Sequence, residues 1–139
     1  MDLSYLLTPF VAWFIAGCLK FSINSIRAKK LAFGLIGYGG LPSNHSAIVS
    51  SIATLIAIKE GIGHPAFGVA ISLAFIVVLD ASSLRRQVGL QAVAINKLAI
   101  SSGIDHIYLR ERMGHSPVEI IAGVITGFLV AILITSKIW

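Results

Sequence analysis

Apolar residues fall into four runs along this chain: Leu6 to Leu19, Ala47 to Ile58, Ala66 to Leu79 and Val118 to Thr135. Several of these runs are shorter than the ~20 residues that a membrane-crossing helix needs. Small and hydroxylated flanks extend them, as Ser43 to Ser46 does for the second. Gly and Ala recur inside them at Gly68, Ala70, Ala74, Ala122, Gly123 and Gly127, and small residues let helices approach closely in a bilayer. A fifth stretch, Gln87 to Ser101, has intermediate polarity, with Val88, Ala92, Ile95 and Ala99 at helical spacing. The pattern predicts an all-α, integral membrane helical bundle: about four transmembrane helices plus one interfacial or re-entrant helix. No linker divides the 139 residues, so 1–139 reads as a single membrane-embedded domain.

Composition agrees. The chain is 56% hydrophobic and only 12% charged, about half the charged fraction of a soluble domain. Its basic excess, a net charge of +5, is read as a report on topology or on anionic lipids rather than on nucleic acid. Cys18 is the only cysteine, which excludes an intrachain disulfide, and no Cys/His metal-ligand spacing occurs. The start Met1-Asp2-Leu3 lacks the basic region of a signal peptide, so the first apolar run is expected to stay in the mature protein.

The charges are unevenly spread. Lys20, Arg27, Lys29 and Lys30 follow the first run, and Arg85, Arg86, Lys97, Arg110 and Arg112 follow the third. With four spans these two loops share one side, which the positive-inside rule makes cytoplasmic. Both termini are then expected on the opposite side. His45 ends the first basic loop and His115 ends the second, so the topology brings both histidines to the same membrane face.

Pro42-Ser43-Asn44-His45-Ser46 crowds polar groups at the mouth of an apolar run, and Gly114-His115-Ser116-Pro117-Val118-Glu119 does the same for the last one. Such placement is costly unless something polar docks there. A phosphate ester asks for charge neutralisation, an in-line nucleophile and a proton for the leaving oxygen. Lys20, Arg27, Arg85 and Arg86 are the candidate cations. Ser43 and the backbone N–H groups near Asn44 and His45 add donors at a helix start. Glu119 lies four residues after His115, on the same helical face, where a carboxylate fixes an imidazole's tautomer. His115 is therefore the candidate nucleophile and His45 the candidate acid.

Each residue also has an ordinary use. His45 can cap a helix, Lys20 and Arg27 can simply be topology-setting charges, and Asp80 is expected to pair with a nearby arginine. Lys29, Lys30, Arg110 and Arg112 suit solvent or lipid headgroups. His64 and His106 show no partner pattern and read as non-catalytic. Gly37, Gly39 and Gly40 read as a turn before Pro42.

Lys20 and Arg27 fit K-x6-R, Pro42-Ser43-Asn44-His45 resembles P-S-G-H, and His115 with Glu119 resembles H-x3-D. In this order the chain resembles the type 2 phosphatidic acid phosphatase superfamily, which also includes the vanadium-dependent haloperoxidases. It departs from that pattern at Ala28 (family proline), Asn44 (glycine) and Glu119 (aspartate), and S-R-x5-H is not met, since Arg110 precedes His115 by five positions and follows Leu109. The departures resemble the small divergent branch of that superfamily, whose D-A-x-x-x-R-R-like signature is matched by Asp80-Ala81-Ser82-Ser83-Leu84-Arg85-Arg86, then Gly89, Gln91-Ala92 and Asn96.

The resemblance implies a membrane lipid phosphatase acting on a phosphate monoester or diphosphate headgroup. His115 would form a phosphohistidine, His45 would protonate the leaving group and Glu119 would orient His115. Lys20, Arg27 and one of Arg85 and Arg86 would bind phosphoryl oxygens, with Ser43, Asn44 and Asp80 completing the substrate site. No metal or other cofactor is implied. A catalytically inactive anionic-lipid-binding or scaffold protein is the alternative, and a small transporter the third; a homo-oligomer is compatible with each.

Overall fold

The computed structural model describes residues 2–31, 33 and 40–138, and Gly37 and Gly39 of the expected turn lie outside them. The architecture is all-α. Helix α1 is Ser4–Ala28, α2 is Asn44–Lys59, α3 is Pro65–Leu79, α4 is Arg85–Ser101 and α5 is Pro117–Ile138. Between α3 and α4 the segment Asp80–Leu84 winds as a π-helical turn, with the Arg85 N–H donating to the Asp80 carbonyl five residues back.

The helix count differs from the expected four spans plus one. Among the described residues three helices are long and apolar enough to cross a membrane: Ser4–Ala28, the continuous stretch Pro65–Ser101 and Pro117–Ser136. The third apolar run and the stretch Gln87 to Ser101 are thus one 37-residue helix, because nothing in Asp80 to Arg86 breaks a helix; the π turn only overwidens it. Helix α2, at 16 residues, is short of the ~20 that span a hydrocarbon core.

The bundle turns its small residues inward and its large apolar ones outward. The buried face of α1 is Ser4, Thr8, Ala12 and Ala16, one residue every four. Phe10, Trp13 and Phe14 on its other faces are exposed, the arrangement expected where lipid is as apolar as leucine and close backbone approach holds helices together. Helix α2 is the central element and packs on α1, α3 and α5. Its contact with α5 is closest at Gly123 and Gly127, one helical turn apart. A Cβ on Gly123 would lie 2.4 Å from the Ser43 carbonyl oxygen, and one on Gly127 would lie 2.2 Å from Ser50 Oγ. Ser43, Ser46, Ala47 and Ser50 form the matching small face of α2, and Ser50 Oγ also donates to the Val124 carbonyl at 3.3 Å.

This crossing sets the two ends of the bundle. At one end Lys59, closing α2, donates to Asp2 at 2.6 Å and to Ser4 Oγ at 2.7 Å. Tyr5 bonds Glu60 there, and Thr135 of α5 lines the same cleft of about 430 Å³. At the other end lie the start of α2, the π turn and the start of α5.

Candidate active site

The site is built from two helix N-termini laid side by side. Ser43 caps α2: its hydroxyl accepts from the Ser46 N–H at 3.4 Å and from the Ser46 hydroxyl at 3.0 Å. Ser116 opens α5 with a capping box. The Glu119 N–H donates to Ser116 Oγ at 3.3 Å, and the Ser116 N–H donates to Glu119 Oε2 at 3.2 Å. The two starts are joined by the Ser43 N–H, which donates to the Glu119 carbonyl at 2.9 Å. The positive ends of both helix dipoles therefore meet at one place, a favourable setting for an anion.

The two imidazoles come together there. The rings of His45 and His115 have centroids 6.3 Å apart with planes at 58°. His115 Nδ1–H donates to Glu119 Oε2 at 2.9 Å, and its side chain is only 8% exposed. A carboxylate can only accept, so Nδ1 carries a proton, and the neutral tautomer that this bond selects is the one with its lone pair on Nε2. His45 is exposed at the edge of the space in front of His115. Glu119 thus serves two purposes with one oxygen: it completes the helix cap and it fixes the imidazole.

The cations divide. The charges of Arg85, His115, Lys20 and Asp80 all bear on His45, and that of Glu119 bears on Lys20. Arg85 Nε donates to Asp80 Oδ2 at 2.7 Å, the pairing expected of Asp80, and it is Arg85 rather than Arg86 whose charge bears on His45. Arg86 is exposed. Arg27 is exposed in the last turn of α1, seven residues and roughly 10 Å along the helix from Lys20. Among the described residues no contact ties Arg27 to the histidines. Ser43 is wholly buried, and its hydroxyl is used in the α2 cap rather than offered to a ligand. Asn44 stands in the first turn of α2 near Gly17, with its Oδ1 buried and without a hydrogen-bond partner.

The other two histidines have plain structural uses. His64 caps α3, its Nδ1 accepting the Ala66 N–H at 3.2 Å. His106 has a partner that the sequence does not disclose: its Nε2 lies 3.2 Å from Asn96 Oδ1.

The family model described as "Divergent PAP2 family" matches residues 1–130. The chain belongs to the divergent PAP2 family. A relative from Bacillus subtilis (strain 168), described as "uncharacterized membrane protein YuiD", is 32% identical over 145 residues, covering 93% of this chain and 92% of its own length. No solved structure matches significantly.

In this divergent PAP2 chain several supporting groups were missed from sequence. The Ala81 carbonyl, in the π turn, accepts the His115 N–H at 3.0 Å. Gly114, with φ of 86°, passes so close that a Cβ would lie 3.1 Å from Arg86 N and 3.3 Å from Ala81 O. A positive φ and a flanking wall of backbone both demand glycine there. The Ser116-x-x-Glu119 spacing carries a capping-box signal that sequence reasoning passed over; the π turn carries none.

Proposed function

We propose that this chain is an integral membrane phosphatase that hydrolyses a phosphate monoester or diphosphate headgroup of an amphiphilic lipid through a phosphohistidine on His115. One observation carries the reading: two imidazoles with centroids 6.3 Å apart, one of them backed by a carboxylate, at a junction of two helix N-termini. A nucleophile stands about 3–3.5 Å from its target atom, and an acid reaches its leaving oxygen at about 2.6–3.2 Å. Rings this near each other can both serve one phosphoryl group held in front of them rather than between them. Membership of the divergent PAP2 family supports the same chemistry.

In the first step Nε2 of His115 attacks phosphorus. The bond from phosphorus to the leaving oxygen breaks, and His45, as the imidazolium, gives that oxygen a proton. His115 Nδ1 keeps its proton and goes on donating it to the Glu119 carboxylate, which stabilises the positive ring. In the second step water attacks phosphorus, neutral His45 takes its proton, the phosphorus–nitrogen bond breaks and inorganic phosphate leaves. Lys20, Arg85 and the first-turn N–H groups of α2 face the phosphoryl oxygens, where cations and oriented amides stabilise developing charge. Asp80 holds Arg85. The headgroup enters from the cytoplasmic leaflet, the side that the clustering of basic residues favours.

Phosphate release from a panel of lipid phosphates by purified protein, wild type against His115→Ala, tests the reading. Release by the wild type that disappears in the variant is the expected result. Unchanged turnover in His115→Ala overturns it.

A further inference from the structure

We propose that Asn96, buried on α4 and remote in sequence from both histidines, is a positioning residue for His115. Residues 102–116 connect α4 to α5 without helix or strand, and this segment must deliver His115 to within a few ångströms of His45. A connection of that length holds one path only if something pins it.

Asn96 is the pin. It is 1% exposed. Its Nδ2 donates to the Leu109 carbonyl and to Glu111 Oε1, both at 2.9 Å. Its Oδ1 accepts the Leu109 N–H at 2.9 Å and lies 3.2 Å from His106 Nε2. The amide satisfies both backbone groups of Leu109, as a neighbouring strand would, so it reads the path of the segment and not the side chain at 109. Buried amides bonded on every side are costly to disturb, because their partners are left unsatisfied.

Asn96 belongs to a rail. Gly89, Ala92, Asn96 and Ala99 are the buried residues of α4 and share one helical face. Seven residues before Asn96, Gly89 admits the returning segment: a Cβ there would lie 2.6 Å from the Glu111 carbonyl oxygen. Beyond it Gly114 crosses the π turn, and the His115 N–H reaches the Ala81 carbonyl. The chain is thus held at Leu109, Glu111, Gly114 and His115 in succession, and Asn96 makes the first attachment. The charged or titratable groups around the amide are Glu111, His106 and Tyr108, with Lys97 acting on Glu111.

The catalytic part of this inference rests on the phosphatase reading; the geometric part does not. Two readouts separate them. In a Cys18→Ser background, His45→Cys and His115→Cys are combined, and cross-linking by a short bifunctional thiol reagent is followed in membranes with Asn96 or with Asn96→Ala. Turnover is measured separately in the Asn96→Ala protein with both histidines present. Asn96→Ala is expected to slow cross-linking and to lower kcat by about 10²-fold with little change in KM, the effect of about 1 Å of misplacement.

Asn96→Asp adds a signature that general destabilisation lacks. The new carboxylate keeps the acceptor for the Leu109 N–H but repels Glu111, and regains a donor when protonated. Its activity relative to wild type should therefore rise as pH falls through the carboxylate range, while that of Asn96→Ala stays flat. If Asn96→Ala fails to accumulate, Gly89→Ala pushes on the same segment from two turns away, and unchanged cross-linking in it overturns the proposal. Unchanged cross-linking and kcat in Asn96→Ala overturn it as well. Cross-linking that depends on Asn96 in a protein releasing no phosphate sinks the phosphatase reading and keeps the positioning role. Phosphate release indifferent to Asn96 does the reverse.

Discussion

The two ends of this bundle both gather charged and polar side chains, yet they are built on opposite plans. At the end formed by Asp2, Tyr5, Lys59 and Glu60, each charge meets a partner. Lys59 is only 5% exposed in side chain, bonds Asp2 at 2.6 Å and lies 5.1 Å from the centre of the Tyr5 ring, while Tyr5 bonds Glu60. Two acids answer one buried cation. At the histidine end the balance is reversed: Lys20, Arg85, two imidazoles and two helix N-termini face Asp80 and Glu119. The difference teaches how to tell a clasp from a site. A clasp closes its own charges, whereas a site keeps an excess of one sign and waits for a ligand of the other.

The strongest way to break this contrast is at His115. His115→Ala is expected to lower phosphate release by at least about a thousand-fold, since removal of a nucleophile that acts as part of a unit forfeits most of the unit's effect. His45→Ala should leave a phosphorylated His115 trappable on an alkaline denaturing quench, which spares the acid-labile phosphorus–nitrogen bond, while slowing its formation and breakdown.

Glu119→Gln comes next. It keeps the shape of the capping box but removes the carboxylate from Nδ1, and a fall of about 10²-fold in kcat is expected. Helix content by circular dichroism should be unchanged, so a collapse of helicity would show that Glu119 is chiefly structural.

Gly127→Ala tests whether the α2–α5 approach holds the histidine end together. A methyl would meet Ser50 Oγ at 2.2 Å and the Ala47 carbonyl at 2.3 Å, and overpacking of this kind costs about 1–3 kcal/mol. Thermal unfolding in detergent should fall and turnover with it.

The smallest effect belongs to the clasp. Asp2→Asn should leave turnover unchanged and lower thermal stability slightly. Bonding to Lys59, then to Ser4, lowers the Asp2 carboxyl from 3.8 to about 2. A lowered folded pKa stabilises at pH above 3.8 and loses that contribution as pH falls through about 2. The difference in melting temperature between wild type and Asp2→Asn should accordingly be present at pH 7 and vanish near pH 2. Turnover that tracks Asp2 would mean that the two ends are coupled.

Much of the fold was open to a reader of the chain. The runs from Leu6, Ala47, Ala66 and Val118 each became a helix, because a long apolar stretch in lipid has no other way to satisfy its backbone. Their boundaries moved outward to Ser4, Asn44, Pro65 and Pro117, and at the last three of these starts a capping side chain, Ser43, His64 or Ser116, marks the beginning. The count of spans was less legible. Hydropathy weakens after Leu79, which reads as an ending, but a π turn lets a helix run on through polar residues with its backbone bonds intact.

Sequence by itself determined the membrane setting, the small inward faces and the pairing of His115 with Glu119, since each depends on residues within a few positions of one another or on bulk composition. Only the tertiary structure decided that His45 meets His115, that Arg85 and not Arg86 bears on His45, that Ser43 is used in a cap, and that Asn96 holds the segment leading to His115. These depend on where separate helices cross. That crossing is fixed by backbone contact at Gly123 and Gly127 and by hydrogen bonds to main-chain groups, which carry no mark in the identity of the residues they join.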